Sequence, residues 1–167
     1  MESLLVEPRV VEALHEATDV VGIGRVVRTA ARSLANADGA TFVLSEGSYC
    51  FYEDEDAIAP LWKGQRFPQD HCISGWAMIH GQAAVVRDIL VDERIPLEAS
   101  APTFVKSLVA MPVGRPAVAA IGAYWARVHQ PSATELAGLE DLAWLVAEAI
   151  DRVGIESAPW APNFGLR

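Results

Sequence analysis

Apolar residues recur at every third or fourth position in two stretches of this 167-residue chain. The first runs through Val20, Ile23, Val27, Ala30, Ala31 and Leu34, with Arg25, Arg28 and Arg32 opposite, the pattern of an amphipathic helix ending near Asn36. Thr18-Asp19 reads as a break and N-cap before it, and residues 9–17 as a short preceding helix. The second stretch begins where Ser132 and Glu135 stand at capping-box spacing. Leu136, Leu139, Ala143, Val146, Ile150 and Val153 form one stripe along it, flanked by Leu142, Leu145 and Ala149. One stripe can cover a sheet while the other meets a partner helix; the block from Leu136 to Val153 is taken as the dimer-forming one.

Between these helices the apolar runs are short and rich in β-branched and aromatic residues. Residues 40–45 and 49–52 read as strands separated by the turn Glu46-Gly47-Ser48. Residues 83–87 make a third strand, and 108–113 and 118–126 two more, split at Gly114-Arg115-Pro116. The acidic run 53–56, continuing through Pro60, Gly64 and Pro68 to His71, is expected to be a long irregular loop of the kind that forms a lid or a site. Ser74 opens a short helix closed by Gly81, residues 92–96 form a polar crossover, and 102–106 make a helical turn. This order describes an α+β fold with an antiparallel sheet and flanking helices.

Composition narrows the classes. Hydrophobic residues are 51% and charged residues 21% of the chain, as in a folded globular domain. The formal charge is −9 and the pI about 4.8, which argues against nucleic acid and anionic lipid as partners. The two cysteines are too few for a disulfide-stapled scaffold. With no signal-peptide pattern and no apolar run long enough to span a bilayer, a cytoplasmic protein without a membrane segment is expected. Residues 1–156 are expected to form one domain. Residues 157–167 read as a tail that frays or lies back on the domain through Trp160 and Phe164.

The stretch from Phe67 to Ala126 resembles the GAF domain family. FPQDHCISGWAMIHGQAAVVRD is similar to the family's helix, strand and Asp segment, and DERIP to its polar loop. FVKSLVAMPVG followed by AVAAIGAYWA is similar to its paired strands, with the long last helix after them, so that residues 8–153 are covered. The resemblance is greatest to modules of bacterial sensor kinases and diguanylate-type signalling proteins. It implies a central antiparallel sheet with helices on one face, a loop-lined pocket for a small ligand on the other (GAF/PAS-like), and first and last helices that pair in a dimer. Ligands across the family range over cyclic nucleotides, haem, bilins and small anions, so the fold leaves the cofactor unknown.

Several residues are candidates for that pocket. Trp62, Phe67, His71, Trp76 and Tyr124 join apolar bodies to polar tips or stacking faces, and Arg87 and Arg94 offer guanidinium groups to a carboxylate, nitrate or phosphate. Cys72, just ahead of the Ser74 helix, has the setting of a reactive thiol, or else is a small buried hydrophobe. Packing is the plainer role for each. Cys50 lies on an apolar strand and reads as core. Residues 99–103, where bilin-binding relatives place the attaching cysteine, hold no thiol, which leaves only Cys72 as an anchor. Gly22-x-Gly24 lies inside a helix and is no dinucleotide fingerprint. His15, His71, His80 and His129 lack metal-ligand spacing, so no metal is expected. The Arg25, Arg28 and Arg32 stripe reads as a solvated helix face, or as one that pairs with acids across a dimer.

The expected function is therefore a non-enzymatic, small-molecule-sensing GAF module in bacterial signal transduction. It would act as a homodimer and, with no output domain read in the chain, pass its signal to a histidine kinase or another partner in a two-component system. One alternative is a ligand-free dimerisation or interaction scaffold. A second is a thiol-based free methionine sulfoxide reductase, which needs a resolving thiol.

Overall fold

The computed structural model describes residues 5–155. Its six strands are β1 (Gly39–Glu46), β2 (Tyr49–Ala57), β3 (Arg66–Pro68), β4 (Ala84–Val86), β5 (Ser107–Val113) and β6 (Ala119–Trp125). They form one sheet in the order β3-β2-β1-β6-β5-β4, with every neighbouring pair antiparallel. The chain enters at the centre, builds one wing as a β1-β2-β3 meander, then crosses to the far edge and returns to the centre through β5 and β6. Helices α1 (Pro8–Glu16), α2 (Val20–Leu34) and α5 (Ala133–Val153) cover one face. Helix α3 (Ile73–His80) and a crossover carrying the short α4 (Leu97–Ser100) cover the other. This is the α+β arrangement expected from the order of elements.

The two faces have separate cores. Ile23 and Val27 of α2 and Leu139, Leu142 and Val146 of α5 pack on Phe42, Ile121 and Trp125 of the sheet, and all eight are fully buried. The caps read in the sequence are formed. Asp19 accepts the Gly22 N–H at 2.8 Å, and Ser132 and Glu135 exchange two bonds of 3.0 Å at the start of α5.

Four expectations are corrected here. Residues 53–56 are not loop but the second half of β2, because cationic partners neutralise the acidic run and let it stay in the ladder. Buried Asp54 takes Arg28 at 3.0 Å and Lys63 at 3.1 Å, while Asp56 takes Arg32 at 2.8 Å. By the same token, Arg28 and Arg32 are neither a solvated stripe nor cross-dimer partners; they clamp α2 to β2 within one chain. A β-bulge makes this possible. Phe42 faces Asp54 while Val43 faces Tyr52, so Glu53 is the extra residue. Both Glu53 and Asp54 then face α2, and Glu55 returns to the opposite side.

The helical turn expected at 102–106 forms earlier, as α4 over Leu97–Ser100, with Pro96 at its N-cap. The stripe assigned to a partner helix is mostly core: Leu139, Ala143, Val146 and Ile150 are buried on the sheet, with Leu136 and Val153 half-buried beside them. The neighbouring Leu142 and Ala149 are buried as well, since α5 must cover both β5 and α2. The tail at 157–167, with Trp160 and Phe164, lies outside the described residues.

Candidate functional site

Between the sheet and the crossover lies a small apolar pocket. Its floor is Tyr52 of β2, Leu108 of β5 and Tyr124 of β6; Phe67, Cys72 and Ile73 form one wall. Trp62 and the crossover residues 95, 96, 99 and 100 close it from above. None of these side chains is charged. The free space at the centre is about 30 Å³, room for one or two water molecules.

Each wall is held by an identifiable contact. Tyr52 stands edge-on to both Trp62 and Phe67, with ring centroids 5.5 and 5.6 Å away, and Trp62 is edge-on to Tyr124 at 5.3 Å. The Trp62 indole N–H donates to the Ala99 carbonyl at 3.1 Å. The loop that presents Trp62 is fixed by Glu55, whose carboxylate accepts the backbone N–H groups of Leu61, Trp62 and Lys63, each at 2.9 Å. The two tyrosine hydroxyls are satisfied within the protein. Tyr124 shares a hydrogen bond of 2.9 Å with Thr41, and Tyr52 one of 3.1 Å with Ser74. Burial pushes both phenols well above the usual tyrosine range. A side chain at Gly122 would collide with the Tyr124 hydroxyl and Thr41, so glycine there lets Tyr124 lie across the sheet.

Two thiols meet in the wall. The Cys72 and Cys50 sulfurs share a hydrogen bond at 3.3 Å, and Cys72 Sγ also accepts the Gly75 N–H at 3.4 Å as the N-cap of α3. The bond with Cys50 lowers the pKa of Cys72, helped by the Gly75 and Ser74 N–H groups and the Tyr52 hydroxyl and opposed by burial. Cys50 moves the opposite way, because the neighbouring Cys72 and burial both penalise its thiolate.

Of the residues singled out from sequence, Trp62, Phe67, Cys72 and Tyr124 are gathered around this pocket. The other four lie elsewhere. The His71 side chain is 73% exposed and pairs with Asp70 at 2.8 Å. Trp76 sits on the outer side of α3, stacked on His80 at 4.3 Å with the Arg94 guanidinium 4.4 Å above its ring. Arg94 is bound to Asp92 at 2.6 Å, and Arg87 is exposed. The guanidinium groups expected to meet an anion therefore stand outside the pocket. His129 packs on Trp125 at 4.6 Å and bonds Glu135 at 2.9 Å.

Sequence reasoning missed Cys50, Tyr52, Ser74 and Glu55. The first two were open to detection, since positions 50 and 52 share one face of a strand by its two-residue period. Glu55 carries no local signal, because its partners are backbone groups of a loop whose path depends on the fold. Among the described residues, no three His, Cys, Asp or Glu side chains gather as a metal site, and no helix is long and apolar enough to cross a membrane.

The fold has counterparts among solved structures. A GAF domain from an Acinetobacter phosphoenolpyruvate-protein phosphotransferase superposes with a TM-score of 0.73 at 11% identity, covering 86% of this chain and 89% of that one. A phycocyanobilin-bound GAF domain from a cyanobacterial phytochrome gives 0.71 at 15% identity, with 87% and 91% coverage. The chain has the GAF fold. A free methionine-R-sulfoxide reductase from Neisseria meningitidis, solved in complex with its substrate, is similar over 92% of this chain and 98% of its own, with a TM-score of 0.75 and 16% identity. No protein-family model and no curated protein matches the sequence. At these identities the likeness defines the GAF fold and leaves ligand and chemistry to this chain's own residues.

Proposed function

We propose that this GAF-fold chain is a sensory module of bacterial signal transduction that takes a small, uncharged ligand into the pocket beneath Trp62. The observation that carries this reading is the uncharged, aromatic lining, closed by one loop and one crossover joined by a single indole hydrogen bond. Such a site excludes anions that need a guanidinium partner and favours a compact or planar molecule that stacks on Tyr52, Trp62 or Tyr124. The free volume is small, so a ligand larger than two or three heavy atoms must lift the Trp62 loop or the α4 crossover. That movement is the signal. It would reach a kinase or other partner through a dimer of the terminal helices, in the cytoplasm. Because the Leu136–Val153 stripe is taken up by the core, pairing would use the outward side of α5, where Trp144 is 67% exposed.

The test is a thermal-stability screen of the reduced protein against neutral metabolites, amino acids, cyclic nucleotides, nitrate and haem. A ligand at one hundred times its Kd adds about 2.7 kcal/mol, a shift of roughly 5–10 °C for a domain this size. A flat panel supports a ligand-free scaffold instead, a reading favoured by the small free volume. For the dimer, solution mass at micromolar concentration decides, and a strict monomer removes helix pairing. A reductase reading is favoured by the thiol pair and by the same-fold methionine sulfoxide reductase. Absence of any turnover of free methionine sulfoxide by the wild-type protein removes it.

A further inference from the structure

We propose that Cys50 and Cys72 form a peroxide-reactive dithiol site, in which Cys72 attacks a hydroperoxide of hydrogen-peroxide size within the pocket and Cys50 resolves it to a disulfide. The fold, not the sequence order, makes the pair. Cys50 lies on β2 opposite Phe67 of β3, and the chain then turns through residues 69–71 to place Cys72 at the start of α3. The sulfurs end 3.3 Å apart with no bond between them. A disulfide requires about 2.05 Å, so closure needs only a small approach of two side chains already in contact.

The surroundings assign different roles to the two thiols. Cys72 lines the pocket and keeps 8% of its surface exposed, whereas Cys50 is wholly buried behind it. An entering oxidant therefore meets Cys72 first. The Gly75 N–H stabilises the Cys72 thiolate, and Cys50 stays protonated beside it. The free space of about 30 Å³ admits a molecule the size of hydrogen peroxide and excludes a bulky hydroperoxide unless the lid lifts.

The steps balance. The Cys72 thiolate attacks one peroxide oxygen, the O–O bond breaks, and the sulfur becomes a sulfenic acid as hydroxide leaves and takes up the proton that Cys72 released on ionising, giving the first water. Cys50 sulfur then displaces the hydroxyl of the sulfenic acid; its own proton goes to that hydroxyl, which departs as water. Overall, two thiols lose two electrons and two protons, and one peroxide becomes two waters. A small dithiol restores the reduced pair by exchange. The site stands whether or not the pocket also binds a sensory ligand.

The experiment is a thiol count. Reduced wild-type protein is treated with increasing hydrogen peroxide, unfolded in an alkylating reagent, and analysed by peptide mass spectrometry. Both cysteines should be lost together, one pair per peroxide, joined within one chain and restored by dithiothreitol. Cys50→Ser should stop at a dimedone-trappable sulfenic acid on Cys72, and Cys72→Ser should leave Cys50 at least tenfold slower to react. The wild-type count decides the matter even if a variant fails to fold. Two thiols that both stay alkylatable, loss of one without the other, or a disulfide between chains would overturn the proposal.

Discussion

The Trp62 indole N–H and the Ala99 carbonyl, 3.1 Å apart, join the loop after β2 to the crossover between β4 and β5. This bond is the latch over the pocket. Trp62→Phe keeps an aromatic ring but leaves that carbonyl without its donor, so stability should fall by about 1–2 kcal/mol in urea unfolding. Amide exchange should quicken over residues 95–101, while the β1–β6 ladder remains protected. Unchanged exchange in the crossover would show that the latch holds nothing.

Glu55 acts one step earlier, through three backbone N–H groups. Glu55→Gln retains one acceptor oxygen and removes the charge. It should cost about 1.5–3 kcal/mol and free the amides of Leu61, Trp62 and Lys63 to exchange. Those three amides should respond as a group.

Gly122→Ala tests the seat of Tyr124. The new methyl meets the Tyr124 hydroxyl and Thr41 on the pocket floor. The expected loss is about 1–3 kcal/mol, with any pocket ligand weakened as the ring is displaced. Gly138→Ala is the control: its nearest neighbour is a Leu34 methyl at 3.2 Å, on the opposite face of the sheet from the pocket. Ligand affinity should not change there.

Stability should also depend on Glu53. This bulge residue has one buried carboxyl oxygen without a hydrogen-bond partner, and burial, with Asp54 nearby, pushes its pKa to about 7. The folded protein therefore holds a proton that the unfolded chain releases at the ordinary carboxylate value of 4.5. Stability present at low pH is lost as pH rises from about 4.5 to about 7, then levels off. The change should be about 1–2 kcal/mol, because water still reaches part of the group. In Glu53→Gln the fall should be smaller by about that amount in denaturant midpoints taken across this window, with the remainder left to Glu46, whose carboxyl pKa burial also raises.

The long helices, the central strands and the caps of α2 and α5 were legible because each follows a local rule. Ser132 and Glu135 announce α5, and Asp19 announces α2. What was not legible depended on partners far along the chain. Asp54 reads as a loop acid until Arg28 and Lys63 are known to face it, and the α5 stripe reads as a dimer seam until the sheet beneath it is seen. Half of the candidate site had the same difficulty. Trp62, Phe67, Cys72 and Tyr124 could be picked by chemical type, but His71, Trp76 and Arg87 share their types and face away. Cys50 was set aside as core, which is true of its burial and incomplete about its neighbour.

The central claim is that the uncharged pocket under Trp62 receives a small ligand. The most direct measurement is a two-dimensional NMR titration of nitrogen-labelled, reduced protein with the compounds of the stability screen. At least one should shift the Trp62 indole N–H and the amides of residues 95–100 saturably, leaving the exposed Trp144 indole unmoved. A panel that moves no pocket resonance, or moves only those of α5, would contradict it.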